Sequence, residues 1–413
     1  MKRPLMLWCS SHRTLSQEEI PLFLESGFRV IPLLTDFWTL QYDEKLDANL
    51  CSDWKQNVEL PPDVIKQLQS LSLCVDNGCL PFRRDEIDLL NRYVDVIYMT
   101  VLPNLAIRLT KVFKGMVIFR PFGHAGLNTY SKISEYFGTK IEELNGKANF
   151  YWVPILTTLQ EVESQAICIN ATHLGAFVTN ERLGRKRWDA STSEPYVVET
   201  IPRINKQQYY LDIYKQYRQD HGHLSLKILG GNEPRGGFLD DASIVGYLED
   251  TEYYSTIVRA RLSIYHGRSR HHVHYHPIEF MAIGVPVLFH VDSAFASEAK
   301  HFGITTDELL KCGMYETSEQ ANKMAKAAMS DPSIALEWSY RQRIFMDRVF
   351  NRDLVLPQAR WLKTRVQQLD IQRELDMQRD AEMQSTAVKD RSPLTRIRKE
   401  LKRAWKRYVL RRS

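Results

Sequence analysis

The chain has 413 residues, 44% hydrophobic, 25% charged and 11% aromatic, which excludes a disordered or fibrous protein and a disulfide-stapled miniature and leaves material for two to three cores. Six scattered cysteines without a CxxC pair argue for reduced thiols and against a zinc framework. With no apolar run near the about 18 to 20 residues of a membrane span and too short an apolar start for a secretory signal, a cytoplasmic location is expected. The net charge of +5 is uneven: residues 389–413 carry eleven Lys/Arg against Asp390 and Glu400, a balance of +9 that leaves −4 on the rest. A faintly acidic body with a basic end excludes a general nucleic-acid binder and marks a local partner.

In chain order, strands are predicted at 5–9 and 28–33 around a helical stretch near 18–24, whose start is unsettled. Ser16 and Glu19 have capping-box spacing, yet Pro21 then falls one turn too deep. Strands at 94–99, 115–120, 148–153 and 174–178 continue the sheet, with a helix near 105–112. Residues 180–194 are polar, basic and poor in apolar side chains, as befits an interdomain loop. A second series follows: strands at 196–201, 224–229, 261–266 and 285–289, helices at 207–218, 253–259 and 277–283, and a helical, charged stretch after 330. Phe238-Leu239-Asp240-Asp241 reads as a helix start or loop cap. Two such runs predict an α/β fold of two doubly wound, Rossmann-like parallel-sheet domains facing across a cleft, with ligand sites at the carboxyl ends of the strands.

The window His266 to His290 carries the chemistry. A strand ends at His266, a polar loop follows, and Pro277 suits the first turn of a helix that stops before Gly284. The loop feeds a helix N-terminus, where unpaired N–H groups and the positive dipole end hold phosphate, with Arg268 and Arg270 beside it. Glu279 in the first turn is placed to accept hydrogen bonds from ribose hydroxyls, or, blandly, only to complement the helix dipole.

Pro277-Ile278-Glu279-Phe280-Met281-Ala282-Ile283-Gly284-Val285-Pro286-Val287 resembles the donor-binding signature of GT-B glycosyltransferases, above all the retaining family 4. In that family a Glu, seven residues and a second Glu precede the small-residue helix and the Gly-x-Pro-Val turn. Glu279 matches the second Glu, which the family uses on the nucleotide ribose. The first Glu, beside the donor sugar, falls on His271, and family glycines are replaced by His272 and His274. The resemblance implies a donor site of Arg203, Lys206, Gly230, Gly231, Asn232, His274, Tyr275, His276, Pro277 and Glu279. Arg203 and Lys206 stand where the family holds the diphosphate. It covers about 196–350 well and the N-terminal half only in its strand-helix rhythm.

Acceptors in this fold bind mainly the N-terminal domain. Two strand-end loops there carry a histidine: His12 on the acceptor side, and His124, between two glycines, as a catalytic candidate alongside His271. The domains implied are an acceptor-side domain 1–185, a donor domain 196–350, a helical extension 351–388 and a basic amphipathic tail 389–413. The activity implied is transfer from a nucleotide-sugar donor to a glycan or lipid-linked acceptor in surface polysaccharide biosynthesis, without metal or other cofactor. Two alternatives stand beside it: a non-catalytic nucleotide-sugar or glycan-binding relative, and a metal-dependent hydrolase built on the His271–His276 cluster. In the tail, Leu394, Ile397, Leu401, Trp405, Tyr408 and Val409 recur at three- and four-residue steps among basic residues. Residues 392–412 therefore suit an anionic membrane surface, on the cytoplasmic face, with a solvated charged helix or a nucleic-acid arm as the plainer readings.

Overall fold

Short β-branched and aromatic runs alternate with helices, so each helical crossover returns the chain to the same end of the sheet and the strands pair in parallel. In the computed structural model, residues 3–10, 13–33, 58–71, 82–100, 102–123, 129–179, 183, 187–205, 207–230 and 241–390 are described. Cα packing divides the chain into two units, Met1–Lys363 and Thr364–Ser413. The first unit holds two sheets.

The first sheet contains β1 (Leu5–Cys9), β2 (Arg29–Pro32), β3 (Val96–Met99), β4 (Met116–Phe119) and β5 (Phe150–Trp152), in the order β2-β1-β3-β4-β5. The second contains β6 (Glu194–Thr200), β7 (Leu226–Leu229), β8 (Ile244–Gly246), β9 (Ala260–Ile264), β10 (Val287–His290) and β11 (Met314–Tyr315), in the order β11-β10-β9-β6-β7-β8. Every strand pair is parallel. These are the two common doubly wound orders, with order reversals between β1 and β3 and between β6 and β9, so the expected fold class is present. Strands of both sheets are almost wholly buried, as helices on both faces require.

Several local expectations are corrected. Residues 174–178 form no strand; Leu174 to Phe177 are buried, and the segment leans on β5 only through bonds such as Thr172 N–H to Trp152 O (3.1 Å) and Leu174 N–H to Pro154 O (3.2 Å). Burial alone does not impose a ladder. The helix runs Arg13–Glu25, so Ser16 and Pro21 both lie inside it and Ser16 does not mark its start, and Glu19 turns inward. There Arg120 donates to Glu19 through Nε (3.0 Å) and Nη2 (2.6 Å), and the Tyr98 hydroxyl donates to the other carboxylate oxygen. The Glu19 and Arg120 side chains are fully buried.

The segment before β6 is less of a loop than its composition suggests. The Trp188 indole donates to Ala260 O (2.7 Å) and its amide to Ile283 O (3.1 Å), fastening 187–190 to the second sheet's layer. Pro195 lies inside β6, where the register on the β9 side shifts between Glu194 and Val197 and relieves the missing donor. Of the two readings of Asp241, the loop cap holds: it accepts from Ser243 N–H (2.8 Å) and turns the chain into β8, an edge strand without a sequence signal. The helices Ala294–His301 and Thr306–Lys311 and the two-residue β11 were also not foreseen. Past 330 the chain is helical, ending in Arg352–Asp390. The tail helix expected at 392–412 lies outside the described residues. No described helix is long and apolar enough to cross a membrane.

Candidate functional site

In the second sheet the order reverses between β6 and β9, and the crevice beyond their carboxyl ends is where a doubly wound sheet places ligands. Glu199, the penultimate residue of β6, is 1% exposed. Its Oε1 lies 2.6 Å from His266 Nδ1, just beyond β9, and 2.8 Å from His276 Nε2, at the start of the His276–Ile283 helix. Ser263 donates to Oε2 at 2.8 Å. Burial alone would raise the Glu199 carboxyl, but His276 and His266 outweigh it and hold it down to about 2. The carboxylate is therefore ionised, and both imidazoles donate their N–H groups to it.

Among the described residues, the group of three metal-capable side chains is Glu199, His266 and His276, so a carboxylate of β6 and His266 join His276 in place of the expected His271–His276 cluster. Glu199 Oε1 already lies within hydrogen-bond distance of both ring nitrogens, which makes this a hydrogen-bonded carboxylate cradle. A lone carboxylate in an otherwise apolar strand, 196–201, was the signal that could have exposed it, since an ionised group there needs buried partners.

His272 and His274 form a second chain of rings. Gly123 O can only accept, so His272 Nδ1 donates to it (3.1 Å). The His272 Nε2 lone pair then accepts from His274 Nε2 (3.3 Å), and His274 Nδ1 accepts from the Tyr265 hydroxyl (2.9 Å). This chain joins the loop after β9 to the loop after β4, where Gly123 and His272 form an antiparallel bridge. Gly123 has φ +93°, and a Cβ there would sit 1.7 Å from His271 O. Gly123→Ala is expected to break this bridge and cost at least about 2 kcal/mol, read as a lower urea midpoint with an unchanged slope.

Burial pushes His272 down to about 4 from 6.5, against the help of Gly123 O. Below pH 6.5 the unfolded chain takes up a proton that the buried ring refuses, so stability is complete above 6.5 and declines as pH falls to about 4. That decline is worth roughly 3 kcal/mol. Denaturant titrations between pH 7 and 4 should show it, and His272→Gln should remove that share while leaving the share of His173, which burial also pushes to about 4.

The remaining expected site residues are placed as follows. His271 follows the same loop; its Nδ1 is buried without a hydrogen-bond partner. Glu279 is 5% exposed on the His276–Ile283 helix, and Thr14 Oγ1, from the helix after β1, lies 3.5 Å from its Oε1. Glu279 thus looks across to the first sheet. Pro277 lies in the first turn and Gly284 closes the helix at φ +104°. Tyr275 precedes it as N-cap residue. Arg203, beyond β6, adopts φ +58° and its N–H donates to Gly230 O (3.0 Å), so the β6 and β7 loops meet. Gly230 has φ +99°, and a Cβ there would press on Thr200 Cγ2 at 3.0 Å. The structure therefore gathers His271, His274, Tyr275, His276, Pro277 and Glu279 on one loop-helix, and Arg203 with Gly230 on two neighbouring strand ends. His12, His124, Lys206, Gly231 and Asn232 lie outside the described residues.

Further polar contacts escaped the sequence reading. Two tie the two halves: Glu298 accepts from the Thr157 N–H (3.0 Å) and hydroxyl (2.9 Å), and the Thr158 hydroxyl donates to Arg270 O (3.1 Å). Within the first half, Glu18 accepts from Thr179 N–H (2.9 Å). Isolated Thr and Glu residues carry no periodic signature, so only proximity reveals them.

No family model matches the chain, and no curated protein matches it. Solved structures do. A glycosyltransferase from Rickettsia africae ESF-5 is 12% identical, with 89% of this chain and 99% of that chain covered at a TM-score of 0.53. Anabaena Alr3699/HepE in complex with UDP-glucose is 11% identical, with 86% and 98% covered at a TM-score of 0.52. The likeness to TarM, 13% identical, covers 68% of this chain and only 57% of that chain, at a TM-score of 0.47. With two doubly wound parallel sheets in one unit and near end-to-end correspondence to the first two, this chain has the GT-B fold of glycosyltransferases.

Proposed function

We propose that the chain transfers a sugar from a nucleotide-sugar donor to a glycan or lipid-linked acceptor in surface polysaccharide assembly. The observation that carries this reading is Glu279. It sits on a helix that opens at the second sheet's order reversal and reaches to Thr14 of the first sheet's layer, so one carboxylate fronts both halves. A ribose held there would leave its diphosphate toward the β6 and β7 loops, where Arg203 and Gly230 meet.

In this reading 196–350 is the donor domain and 1–185 the acceptor side, with His12 an acceptor-side residue and His124 a catalytic one. His271 takes the place that family 4 gives to the carboxylate beside the donor sugar. The transition state gains oxocarbenium character as the nucleotide diphosphate departs, so stabilising the leaving group is the main protein task. Arg203, Lys206 and the helix beginning at His276 perform it without a metal. The basic segment 392–412 holds the enzyme at the cytoplasmic face of an anionic membrane, beside a lipid-linked acceptor.

The test is a thermal-shift screen of the full chain against UDP, GDP, CMP and TDP sugars, with and without EDTA. UDP-glucose comes first because the Anabaena structure holds it. One nucleotide class should raise the melting temperature, by an amount equivalent to about 2.7 kcal/mol at a hundred times Kd, and the shift should survive EDTA. No shift with any class removes the donor site; a shift abolished by EDTA removes metal independence. Because His271 stands where family 4 has a carboxylate, a non-catalytic relative is the second reading: it would bind donor yet neither transfer nor hydrolyse it.

A further inference from the structure

One cavity lies where the chain returns from the second sheet to the first. The Arg343–Arg348 helix leads into the helix Arg352–Asp390, whose first turns reach the first sheet's layer: Arg352 pairs with Glu25, and the Trp361 ring meets Tyr151 edge-on at 6.2 Å. Between this return and the segment 172–175, which leans on β5, is a space of about 510 Å³, within the about 300–1,000 Å³ of small-molecule sites. None of the donor positions argued above lines it.

The polar groups of its lining are accessible. His173 Nε2 donates to Ile155 O (3.1 Å), which can only accept, so the neutral ring carries its lone pair on Nδ1, in a side chain 23% exposed. Asp347 and Arg348 are both exposed, and among the described residues neither forms an ion pair, not even with the other. Arg348 spends one N–H on Phe302 O (3.0 Å), and Gln358 Oε1 accepts the Thr172 hydroxyl (3.2 Å), which leaves its amide N–H groups to donate. Phe302, Val349 and Leu354 supply an apolar wall. An anion and a cation that do not cancel, set around an apolar wall, match a molecule with both charges and an apolar substituent. A metal cation finds a single carboxylate here, and a phosphate meets Asp347 as well as Arg348.

We propose that this cavity binds a free α-amino acid with an apolar side chain, its ammonium on Asp347 and His173 and its carboxylate on Arg348 and Gln358, and that the bound molecule tightens the join between the halves. The second part follows from the other side of the ring. His173 Nε2 lies 3.4 Å from Glu298 Oε1, and Glu298 receives the N–H and hydroxyl of Thr157 from the first half. A donor on Nδ1 polarises the imidazole and makes Nε2–H a stronger donor toward Ile155 O and that carboxylate. The site stands on the cavity and its lining, and it does not depend on the chain being a transferase.

The experiment follows the imidazole nitrogens of the full, 15N-histidine-labelled chain while L-leucine or L-phenylalanine is added, with the His173 signals assigned from His173→Gln. Phenethylamine and 3-phenylpropanoate serve as ligands that lack one of the two charges. At least one amino acid should move the unprotonated His173 nitrogen saturably, with a Kd in the millimolar range or below, and each single-charge analogue should bind about tenfold more weakly. Asp347→Asn, at an exposed side chain, should weaken binding about tenfold, the loss of a charge-assisted hydrogen bond. Leu354→Trp, which narrows the space from its apolar side, should abolish it, and melting curves of both unliganded variants check that they fold. In the complex the Thr157 amide should exchange more slowly with deuterium. No saturable change with either amino acid, meaning a cavity that holds water only, overturns the proposal. So do analogues that bind as well as the amino acids, or an affinity that survives both substitutions. Unchanged Thr157 exchange in a saturated complex overturns the link to the join between the halves.

Discussion

Glu19→Ala should lower the stability of the protein by about 3–5 kcal/mol, the largest loss expected from any single substitution in the first sheet's layer. Glu19 and Arg120 are both fully buried, and the guanidinium donates twice to Glu19 and once to Val153 O (3.2 Å). Deleting the carboxylate leaves a buried cation with one carbonyl for company, and also orphans the Tyr98 hydroxyl, whose ring stacks on Trp8 at 4.1 Å. Urea unfolding followed by tryptophan fluorescence reads the loss. The cost comes from the unpaired charge and not from the worth of the pair, so the double variant Glu19→Leu with Arg120→Met should recover much of it. If the single variant unfolds at the wild-type midpoint, the buried pair is not formed.

Glu279→Ala should weaken nucleotide binding about 10-fold to 100-fold, the loss of hydrogen bonds made to a charged acceptor. The carboxylate is 5% exposed and lies 3.5 Å from the Thr14 hydroxyl across the cleft, so its replacement can act on binding and on folding. Calorimetric titration with UDP, alongside a melting curve of the unliganded variant, separates the two. An unchanged affinity would remove Glu279 from the donor site and with it the observation on which the transferase reading rests.

The sequence by itself determined the alternation of strand and helix, and with it the fold class. Continuous apolar runs such as 5–9, 96–99 and 285–289, each followed by a turn and an amphipathic stretch, can satisfy their backbone groups only in parallel sheets covered on both faces. It also determined the helix that begins at 276 and stops at Gly284, because Pro277 and a left-handed glycine are local signals. Where local signals conflicted or were absent, tertiary structure decided. Pro21 is tolerated inside a helix whose Glu19 is claimed by Arg120, 101 residues away. The apolar run 174–178 is buried without becoming a strand, and β8 and β11 exist because a neighbouring edge offers them hydrogen bonds.

The candidate site divides in the same way. The loop-helix 271–279 is contiguous, so its residues were legible together. Glu199, Gly123 and Thr14 come from three other segments, and nothing in the chain's linear order says that they meet His266, His272 and Glu279. Proximity created by the two sheet orders supplies that information. Burial then assigns the charges: it keeps His272 neutral, while the two imidazoles at Glu199 keep that carboxylate ionised.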